Sequence, residues 1–197
     1  MKRIVVGLSG ASGAIYGIRF LELLRGLPDV EAHLVVSDPA KRTIVEETDW
    51  TVKNVEALAA HRYDNKDIGA AIASGSFKTD GMVIVPCSVK AAASVAHCLA
   101  DTLLTRAADV TLKEGRPLIL VVRETPLHLG HLRVLTALAE MRAIIMPPMP
   151  AFYNRPKQIE DLVDHTLARV LDRLGLPQEL VGEWQGTNRR TDLPRRG

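Results

Sequence analysis

Small hydroxyl side chains follow three apolar runs of this chain, and they are the first candidates for chemistry. Ser12, Ser37 and Ser88 each come shortly after a run that predicts a buried strand. A single serine in such a position is more often a helix cap than a ligand contact. The carboxyl ends of parallel strands, however, meet at one edge of a sheet. Three serines at that edge favour a crevice for a phosphate-containing cofactor.

The first of these turns is rich in glycine. Gly7, Gly10 and Gly13 recur at a spacing of three between a strand and a helix, and Ser12 is the predicted N-cap of that helix. Free N–H groups and the positive end of the helix dipole converge at such a turn, so it can hold an anion. These residues leave two interpretations open: a turn for a phosphate-bearing ligand, or a tight turn that binds nothing.

Two features argue against a nicotinamide cofactor. The glycine spacing differs from that of dinucleotide-binding turns, and strand two ends in Ser37, although Asp38 directly after it keeps a ribose contact open. Tyr153 and Lys157 have the spacing of the catalytic pair of short-chain dehydrogenases, but Pro156 lies inside the helical turn that this pair needs. The Ser37 hydroxyl suits a phosphate or a flavin chain better.

Charged residues occur in two different settings. Arg106, Asp109 and Lys113 share one face of a predicted helix, and a solvated face of ion pairs is the usual explanation for such a pattern. Arg123 and Glu124 come where the fourth strand ends, at the same sheet edge as the serines. Charges at that edge are expected in a binding site rather than in a core.

The histidines and cysteines give little support for a metal site or a nucleophile. His128 and His131 have ligand-like spacing but no evident third ligand, so the start of a helix is the better interpretation. Cys87 has no histidine that the sequence pairs with it, and we expect it to be a buried small residue. We therefore expect no metal.

Strands alternate with helices along the chain, which predicts a single three-layer α/β domain with an open, mostly parallel sheet. Five strands are expected, and the segment 50–77 is the least regular part. The last helix has an apolar stripe over 159–174, and Arg169 lies at its edge, placed to point towards a partner surface. The prolines of 147–150 predict a rigid loop. We assign 1–176 to the domain and 177–197 to a C-terminal tail.

The composition is that of an ordinary globular chain: 197 residues, 47% hydrophobic, 24% charged, with a net charge of +2. The near-neutral charge gives no case for a nucleic-acid or membrane partner. Two cysteines, Cys87 and Cys98, suggest free thiols in a reducing compartment. The sequence shows no signal peptide and no apolar stretch that could span a bilayer, so we expect a cytoplasmic protein.

Eight short motifs occur in the same order as in a known family. They are 6–14 (VGLSGASGA), 47–49 (ETD), 74–77 (SGSF), 86–88 (PCS), 106–110 (RAADV), 112–114 (LKE), 123–127 (RETPL) and 147–153 (PPMPAFY). In these motifs the chain resembles the UbiX family of flavin prenyltransferases, which includes the accessory subunits of hydroxyarylic acid decarboxylases. The resemblance covers residues 1–176 and implies a Rossmann-like or flavodoxin-like fold.

The resemblance implies a metal-independent prenyltransferase. It would join a dimethylallyl group from dimethylallyl monophosphate to N5 and C6 of reduced FMN. The product, prenylated FMN, would serve a UbiD-type decarboxylase in ubiquinone biosynthesis or in aromatic acid decarboxylation. Members of the family assemble as dodecamers with the site at subunit junctions, so a homo-oligomer is implied as well.

The resemblance also implies roles for individual residues. Those expected to hold FMN are Gly10, Ala11, Ser12, Ser37, Ser88, Val89, Lys90, Ala91 and Arg123. Those expected around the allyl phosphate are Arg106, Lys113, Glu124, Tyr153 and Arg169, the last two from a neighbouring subunit. Ser12 and Glu47 would lie near flavin N5 and assist proton transfers.

Two departures from the family pattern bear on these roles. Asp38 stands where relatives often have lysine, and an acid there would weaken FMN binding. Around Ile68 some relatives have a tryptophan that faces the prenyl cation, so Tyr153 or Trp184 would have to supply the aromatic surface. Two alternatives to the prenyltransferase remain: a flavin-dependent decarboxylase, of the cysteine type or acting on aromatic acids, and a non-catalytic flavin carrier.

Overall fold

The computed structural model of the chain describes residues 1–182, over which six strands and seven α-helices follow one another. The strands are β1 (Lys2–Leu8), β2 (Val30–Val36), β3 (His61–Tyr63), β4 (Gly81–Cys87), β5 (Leu118–Val122) and β6 (Ile144–Ile145). The helices are α1 (Ala14–Arg25), α2 (Asp38–Glu47), α3 (Val52–Glu56), α4 (Val89–Ala96), α5 (Leu103–Lys113), α6 (Leu129–Glu140) and α7 (Ile159–Arg173). A single 3-10 turn spans Ala71–Ala73.

All six strands lie in one parallel sheet in the order β3-β2-β1-β4-β5-β6. β4 is buried along its whole length, as expected for a parallel strand covered by helices on both faces. The direction of the strand order reverses between β1 and β4. The carboxyl ends of these two strands therefore form the topological switch point, where open α/β sheets bind ligands. The predicted α/β fold with an open parallel sheet is confirmed.

Helices cover both faces of the sheet and form two hydrophobic cores. On one face α1, α2 and α7 pack against side chains such as Ile4 and Val6 of β1. On the other face α4, α5 and α6 pack against Val5 and Ile84. Successive residues of a strand point to opposite faces, so the continuous apolar run of β1 supplies both cores. The molecule has the three layers that the sequence predicts.

The structure differs from the sequence-based prediction mainly in the segment 50–77. It contains the edge strand β3, which was not predicted because its three residues are polar or only half-buried and show no apolar alternation. The residue pattern predicts a short helix from Val52 to Ala60, but α3 ends at Glu56. Further along the chain, Asp101 is the cap that the sequence predicts for α5. That prediction is wrong by one residue, since Thr102 caps α5 in a capping box with Thr105.

The remaining loops agree with the sequence pattern. Residues 147–150 have no regular secondary structure, as their prolines predict. Among residues 1–182, no helix combines the length and the apolar character that a membrane span requires.

Candidate functional site

A cleft of about 310 Å³ opens at the carboxyl ends of β1, β2 and β4, and we call it the switch-point cleft. Its volume lies at the lower end of the range for small-molecule sites. Its lining residues are Ser9, Gly10, Ser37, Asp38, Pro39, Asn65, Ser88, Lys90, Ala91, Ser94, Asp101, Thr102, Leu104 and Thr105. Five of the nine residues expected to hold FMN are in this set.

Three serine hydroxyls organise the backbone around the cleft. Ser9 donates its hydroxyl to the Pro86 carbonyl at 3.0 Å and accepts from the Ser88 N–H at 2.7 Å, which ties the end of β1 to the end of β4. Ser88 caps α4 and Ser37 caps α2, each through a bond of 3.2 Å from a backbone N–H. Ser37 and Ser88 are helix caps, as each one alone suggested, and they share one cleft with Ser9, whereas Ser12 is not among the residues that line it.

The close approach of two turns explains why Gly10 is a glycine. A Cβ atom added at Gly10 would lie 2.3 Å from Cβ of Pro39, far inside van der Waals contact. Any larger residue would push the turn after β1 away from the start of α2. The wall of the cleft between Gly10 and Ser37 therefore depends on the missing side chain.

Asp38 is the residue whose charge argues against FMN binding, and its charge is partly balanced. Its carboxylate accepts a hydrogen bond from the ammonium group of Lys41 at 2.9 Å within the first turn of α2. This bond and the positive charge of Lys41 lower the pKa of Asp38. The departure from the family pattern is thus accompanied by a local cation, which reduces the repulsion an anionic ligand would meet.

The turn after β1 holds an anion from the protein itself. The Glu47 carboxylate accepts hydrogen bonds from the N–H groups of Gly13 at 2.7 Å and Ala14 at 3.1 Å, at the amino end of α1. The predicted N-cap Ser12 is wrong: the cap is Gly13, whose φ of 99° is left-handed and favours glycine. Ser12 instead donates its hydroxyl to Glu47. Part of the predicted anion site is therefore occupied by the chain's own carboxylate.

Several groups hold Glu47 in its ionised form. Burial alone would raise the pKa of Glu47, but the hydrogen bonds from Gly13, Ala14 and Ser12 outweigh it, and the charge of Arg123 adds to them. The pKa of Glu47 is lowered as a result. At neutral pH this carboxylate is ionised, and the Ser12 hydroxyl is its direct neighbour.

Arg123 and Glu124 lie where β5 ends, as expected. The Arg123 N–H donates to the Cys87 carbonyl at 3.0 Å, which joins this junction to the end of β4. One oxygen of the Glu124 carboxylate accepts from the Thr125 N–H at 3.0 Å. The sheet edge thus carries one cation close enough to act on Glu47 and one further carboxylate.

Arg106 and Lys113 contact a different part of the molecule, the loop 73–76. Arg106 donates to the Ala73 carbonyl at 3.3 Å and pairs with Asp109 at 2.8 Å, while Lys113 forms an ion pair with Glu114. Lys113 is eight residues beyond the cleft-lining Thr105, or about 12 Å along α5. The salt-bridge interpretation of this helix face holds for Arg106. The two cations contact neighbouring points of the loop, Arg106 at Ala73 and Lys113 at Gly75.

Tyr153 and Arg169 line a second cavity of about 500 Å³, which we call the tyrosine pocket. The Tyr153 hydroxyl lies 2.7 Å from Nε2 of His165, whose ring packs edge-on against the tyrosine. Arg169 forms an ion pair with Asp172 at 3.1 Å on the pocket wall. His165 was not singled out from the sequence, because it lies among the buried residues of α7 and its partner comes from a loop.

One chain therefore presents the expected site residues as separate groups. The switch-point cleft, the Ser12–Glu47 pair with Arg123, the Arg106–Lys113 face and the tyrosine pocket are distinct, and no described residue lines both cavities. The sequence also missed Asn65, which lines the cleft and accepts the Leu104 N–H. Ile68 is exposed. Trp184 and the tail beyond residue 182 lie outside the described residues.

The remaining nucleophile and metal candidates behave as the sequence suggested. Cys87 is fully buried, and burial raises the pKa of its thiol to about 12, which makes it inert. His128 caps α6 and accepts the Gly130 N–H at 3.0 Å, so the pair with His131 marks a helix start.

The donors around the switch-point cleft fit an anionic, flavin-type ligand. The amino end of α4 opens beside Ser88, and the Lys90 side chain supplies a positive charge at the same wall. Helix amino ends and lysines both favour phosphate groups. On the opposite wall, Pro39 fills the space that a Cβ atom of Gly10 would take. The backbone of Gly10 therefore forms that part of the wall.

Comparison with known proteins identifies similar sequences. A family model described as Flavoprotein matches residues 1–171. The flavin prenyltransferase UbiX of Escherichia coli K12 is 56% identical over 188 residues, which cover 94% of this chain and 100% of that protein.

Two solved structures are similar over nearly the same length. AnUbiX (PadA1), in complex with FMN and dimethylallyl pyrophosphate, superposes with a TM-score of 0.92 at 46% identity and covers 94% of this chain and 98% of its own. The dodecameric FMN-dependent UbiX-like decarboxylase of Escherichia coli O157:H7 has a TM-score of 0.91 at 49% identity and covers 93% of this chain and 100% of its own.

Proposed function

Because this chain belongs to the UbiX family of flavin prenyltransferases, we propose that it joins a dimethylallyl group from dimethylallyl monophosphate to N5 and C6 of reduced FMN. The observation that carries the proposal is the ionised Glu47 carboxylate, bonded to the Ser12 hydroxyl at the sheet edge that also forms the switch-point cleft. Prenylation at two flavin atoms requires protons to be removed, and the ionised Glu47 carboxylate is the group beside the cleft that would take one up through Ser12.

FMN would bind in the switch-point cleft. Its phosphate would meet the amino end of α4 and the Lys90 ammonium group, and Ser37 and Gly10 would line the opposite side. Ala11, Val89 and Ala91 belong to the same two turns and would contribute backbone contacts. Reduced FMN supplies the nucleophilic N5 and C6 atoms, and the complex of AnUbiX with FMN supports this choice of ligand.

The allyl phosphate needs cations at the oxygen from which the prenyl group departs. Breaking the carbon–oxygen bond leaves the electron pair and negative charge on the phosphate and positive charge on the prenyl group. Arg106, Lys113 and Arg169 would stabilise the first, because preorganised cations act on charge that develops in the transition state. The aromatic face of Tyr153 would stabilise the second.

The carboxylates would handle the protons. Glu47 is ionised at neutral pH and would accept a proton through the Ser12 hydroxyl, its hydrogen-bond neighbour. For the second bond, Glu47 would return its proton to the allyl double bond, and the tertiary cation formed would bond to flavin C6. The proton that C6 then loses would pass to Glu124, at the end of β5, or to the released phosphate. The positive charge of Arg123 adds to the hydrogen bonds that keep Glu47 ionised.

The site would be completed between subunits. A single chain keeps the tyrosine pocket apart from the switch-point cleft, so Tyr153 and Arg169 would serve a neighbouring chain's FMN. The dodecameric assembly of the relative from Escherichia coli O157:H7 supports a homo-oligomer, and we extend it to a dodecamer here. The product would pass to a UbiD-type decarboxylase in the cytoplasm.

The test is phosphate release under anaerobic conditions. With reduced FMN and dimethylallyl monophosphate, we expect inorganic phosphate to appear in proportion to flavin consumed, and oxidised FMN should support none. The pyrophosphate donor, run in parallel, distinguishes the donor preference. Phosphate release that is independent of reduced FMN would contradict the proposal.

A further inference from the structure

A second cluster of polar side chains lies on the sheet away from the switch-point cleft, nearer the amino end of β2. Glu31 and His33 are two residues apart on β2 and so point to the same face, and His61 is the register partner of His33 on β3. One ligand-type atom from each of the three lies within 4.8 Å of the others. None of them has a role in the proposed transfer reaction.

His33 supplies an independent sign that a ligand belongs here. Its side chain is 2% exposed, and Nε2 forms no hydrogen bond with any residue in the described range. This nitrogen lies 3.9 Å from a carboxylate oxygen of Glu31. Buried polar atoms are almost always satisfied, so an orphaned one that faces a carboxylate needs an explanation.

The surroundings of His33 orient the ring for ligation. Nδ1 lies 2.9 Å from the Tyr63 hydroxyl, which fixes the ring. The exposed His61 ring stacks on His33 with centroids 4.7 Å apart and would turn out of this stack to aim its lone pair at the same cation. When Nδ1 carries the proton and donates it to Tyr63, Nε2 presents a lone pair to the cluster. Metal-bound histidines typically donate their other ring N–H to a fixed partner in this way.

We propose that Glu31, His33 and His61 bind a divalent cation of the zinc class. Two imidazole nitrogens and one carboxylate oxygen form a known three-ligand set for zinc, with water in the fourth position. Imidazole ligands favour Zn²⁺ over Mg²⁺, which prefers oxygen ligands alone. Zinc bonds of about 2.0–2.2 Å require the three atoms to close by roughly an ångström. The exposed ring of His61 and the half-buried Glu31 can make that movement.

One neighbouring cation competes for this position. Arg3 contacts a carboxylate oxygen of Glu31 at 3.4 Å, and its guanidinium lies over the Phe77 ring at 4.9 Å. The long Arg3–Glu31 contact leaves the carboxylate able to turn towards a metal. Arg3 would therefore weaken metal binding without preventing it.

A metal at this place would join the edge strand to the rest of the sheet. β3 is three residues long and lies at the edge, and His61 is its first residue. A cation that binds the folded chain and not the unfolded one raises the melting temperature. The bound metal would thus hold β3 on β2, independently of flavin chemistry.

The test is a calorimetric titration of the metal-stripped, assembled protein with Zn²⁺, without flavin. We expect one Zn²⁺ per chain, a rise in Tm on addition, and a tetrahedral visible spectrum when Co²⁺ replaces Zn²⁺. Mg²⁺ should give neither signal. Absence of Zn²⁺ binding at micromolar concentration would overturn the proposal, whatever the outcome of the prenyl-transfer assay.

Variants locate the site and keep the test independent of folding. His61→Ala changes an exposed side chain, so the variant should fold and bind Zn²⁺ at least about tenfold more weakly. Glu31→Gln should have the same effect. Tyr63→Phe removes the partner of His33 Nδ1 and should lower the Zn²⁺ affinity by about tenfold. Arg3→Met should bind Zn²⁺ about threefold more tightly, since a unit positive charge is removed nearby.

The control His128→Ala/His131→Ala removes the other histidine pair and should bind Zn²⁺ as the native chain does. Unchanged affinity in His61→Ala, or loss in the control, would place the metal elsewhere.

Discussion

At the scale of single residues, Glu47 has the most informative surroundings. It ends α2, but its carboxylate binds the first N–H groups of α1 and the Ser12 hydroxyl. The N–H groups of Gly13 and Ala14 are enough to explain a helix-capping role for the Glu47 carboxylate. The additional hydrogen bond from the Ser12 hydroxyl gives the carboxylate a neighbour through which a proton could pass. The resemblance paired these two residues, and the structure places them in contact, while their catalytic role stays a prediction.

Replacing Glu47 by glutamine should therefore slow turnover. The amide keeps the shape and can still accept from Gly13, but it cannot take up a proton, so we expect prenyl transfer to fall by about a hundredfold or more. Single-turnover kinetics after anaerobic mixing would measure this, with FMN affinity nearly unchanged. Glu46→Gln is the matched control, since Glu46 pairs with Arg42 on the exposed side of the same helix. Equal rates in both variants would remove Glu47 from the mechanism.

Gly10 allows a second prediction, on binding rather than chemistry. In Gly10→Ala the new methyl group would lie 2.3 Å from Pro39 Cβ, so the turn must shift. Strain of this kind costs about 1–3 kcal/mol of stability, and the displaced turn should weaken FMN binding. Fluorescence titration with FMN and thermal unfolding would report both. Gly69→Ala is the control, because it lines neither cavity and the nearest atom to a Cβ there is Oδ1 of Asp67 at 3.5 Å, an ordinary van der Waals contact. Native FMN affinity in Gly10→Ala would show that this wall does not touch the ligand.

At the scale of elements, the strands were predictable where burial was continuous. The apolar runs of β1 and β4 indicated parallel strands, and the polar residues at their ends indicated the cleft. β3 gave no such signal, since an edge strand of three residues pairs on one side only. The site was less predictable, because the Tyr153–His165 contact and the Lys41–Asp38 pair depend on which side chains meet in space. The spacing alone predicted Ser12 as the N-cap of α1. The left-handed backbone of Gly13 makes Gly13 the N-cap instead.

The bond between Glu47 and α1 also predicts a dependence of stability on pH. The pKa of Glu47 is lowered in the folded chain, so the carboxylate stabilises the fold at pH values above its unfolded pKa of about 4.5. This contribution is lost as the pH falls through the folded pKa. A charge at an exposed helix amino end is worth about 0.3–1 kcal/mol.

Denaturant unfolding of the native chain and of Glu47→Gln, from pH 7 down to pH 3, would measure this contribution of Glu47 to the free energy of unfolding. The native chain should be more stable at pH 7, and the two free energies of unfolding should converge in acid. A difference that persists or grows below pH 4 would mean that the interaction of Glu47 with α1 is not ionic.

At the scale of the whole molecule, the separation of the site residues predicts that subunits share sites. Lys113→Met and Arg169→Met should each abolish most activity, because each removes a cation from the phosphate position. When the two variants are expressed together, random mixing should place both native residues in about a quarter of the sites, if the residues come from different chains. Mixed assemblies isolated through two tags would then recover about that share of native activity.

No recovery in mixed assemblies would mean that both cations act from one chain. Unchanged activation of a partner decarboxylase by the Lys113→Met variant would instead favour a flavin carrier over an enzyme. Both outcomes can be read from the same preparations, since the variants differ only in charge at half-exposed positions.

The most direct test of the proposed function is the identity of the flavin that leaves the protein. After anaerobic incubation with reduced FMN and dimethylallyl monophosphate, the flavin is released by denaturation and its mass and absorption spectrum are recorded. The proposed function predicts a flavin heavier than FMN by one five-carbon prenyl unit, with a spectrum distinct from that of reduced FMN. Recovery of unmodified FMN alone, from protein that binds it, would contradict the proposed function.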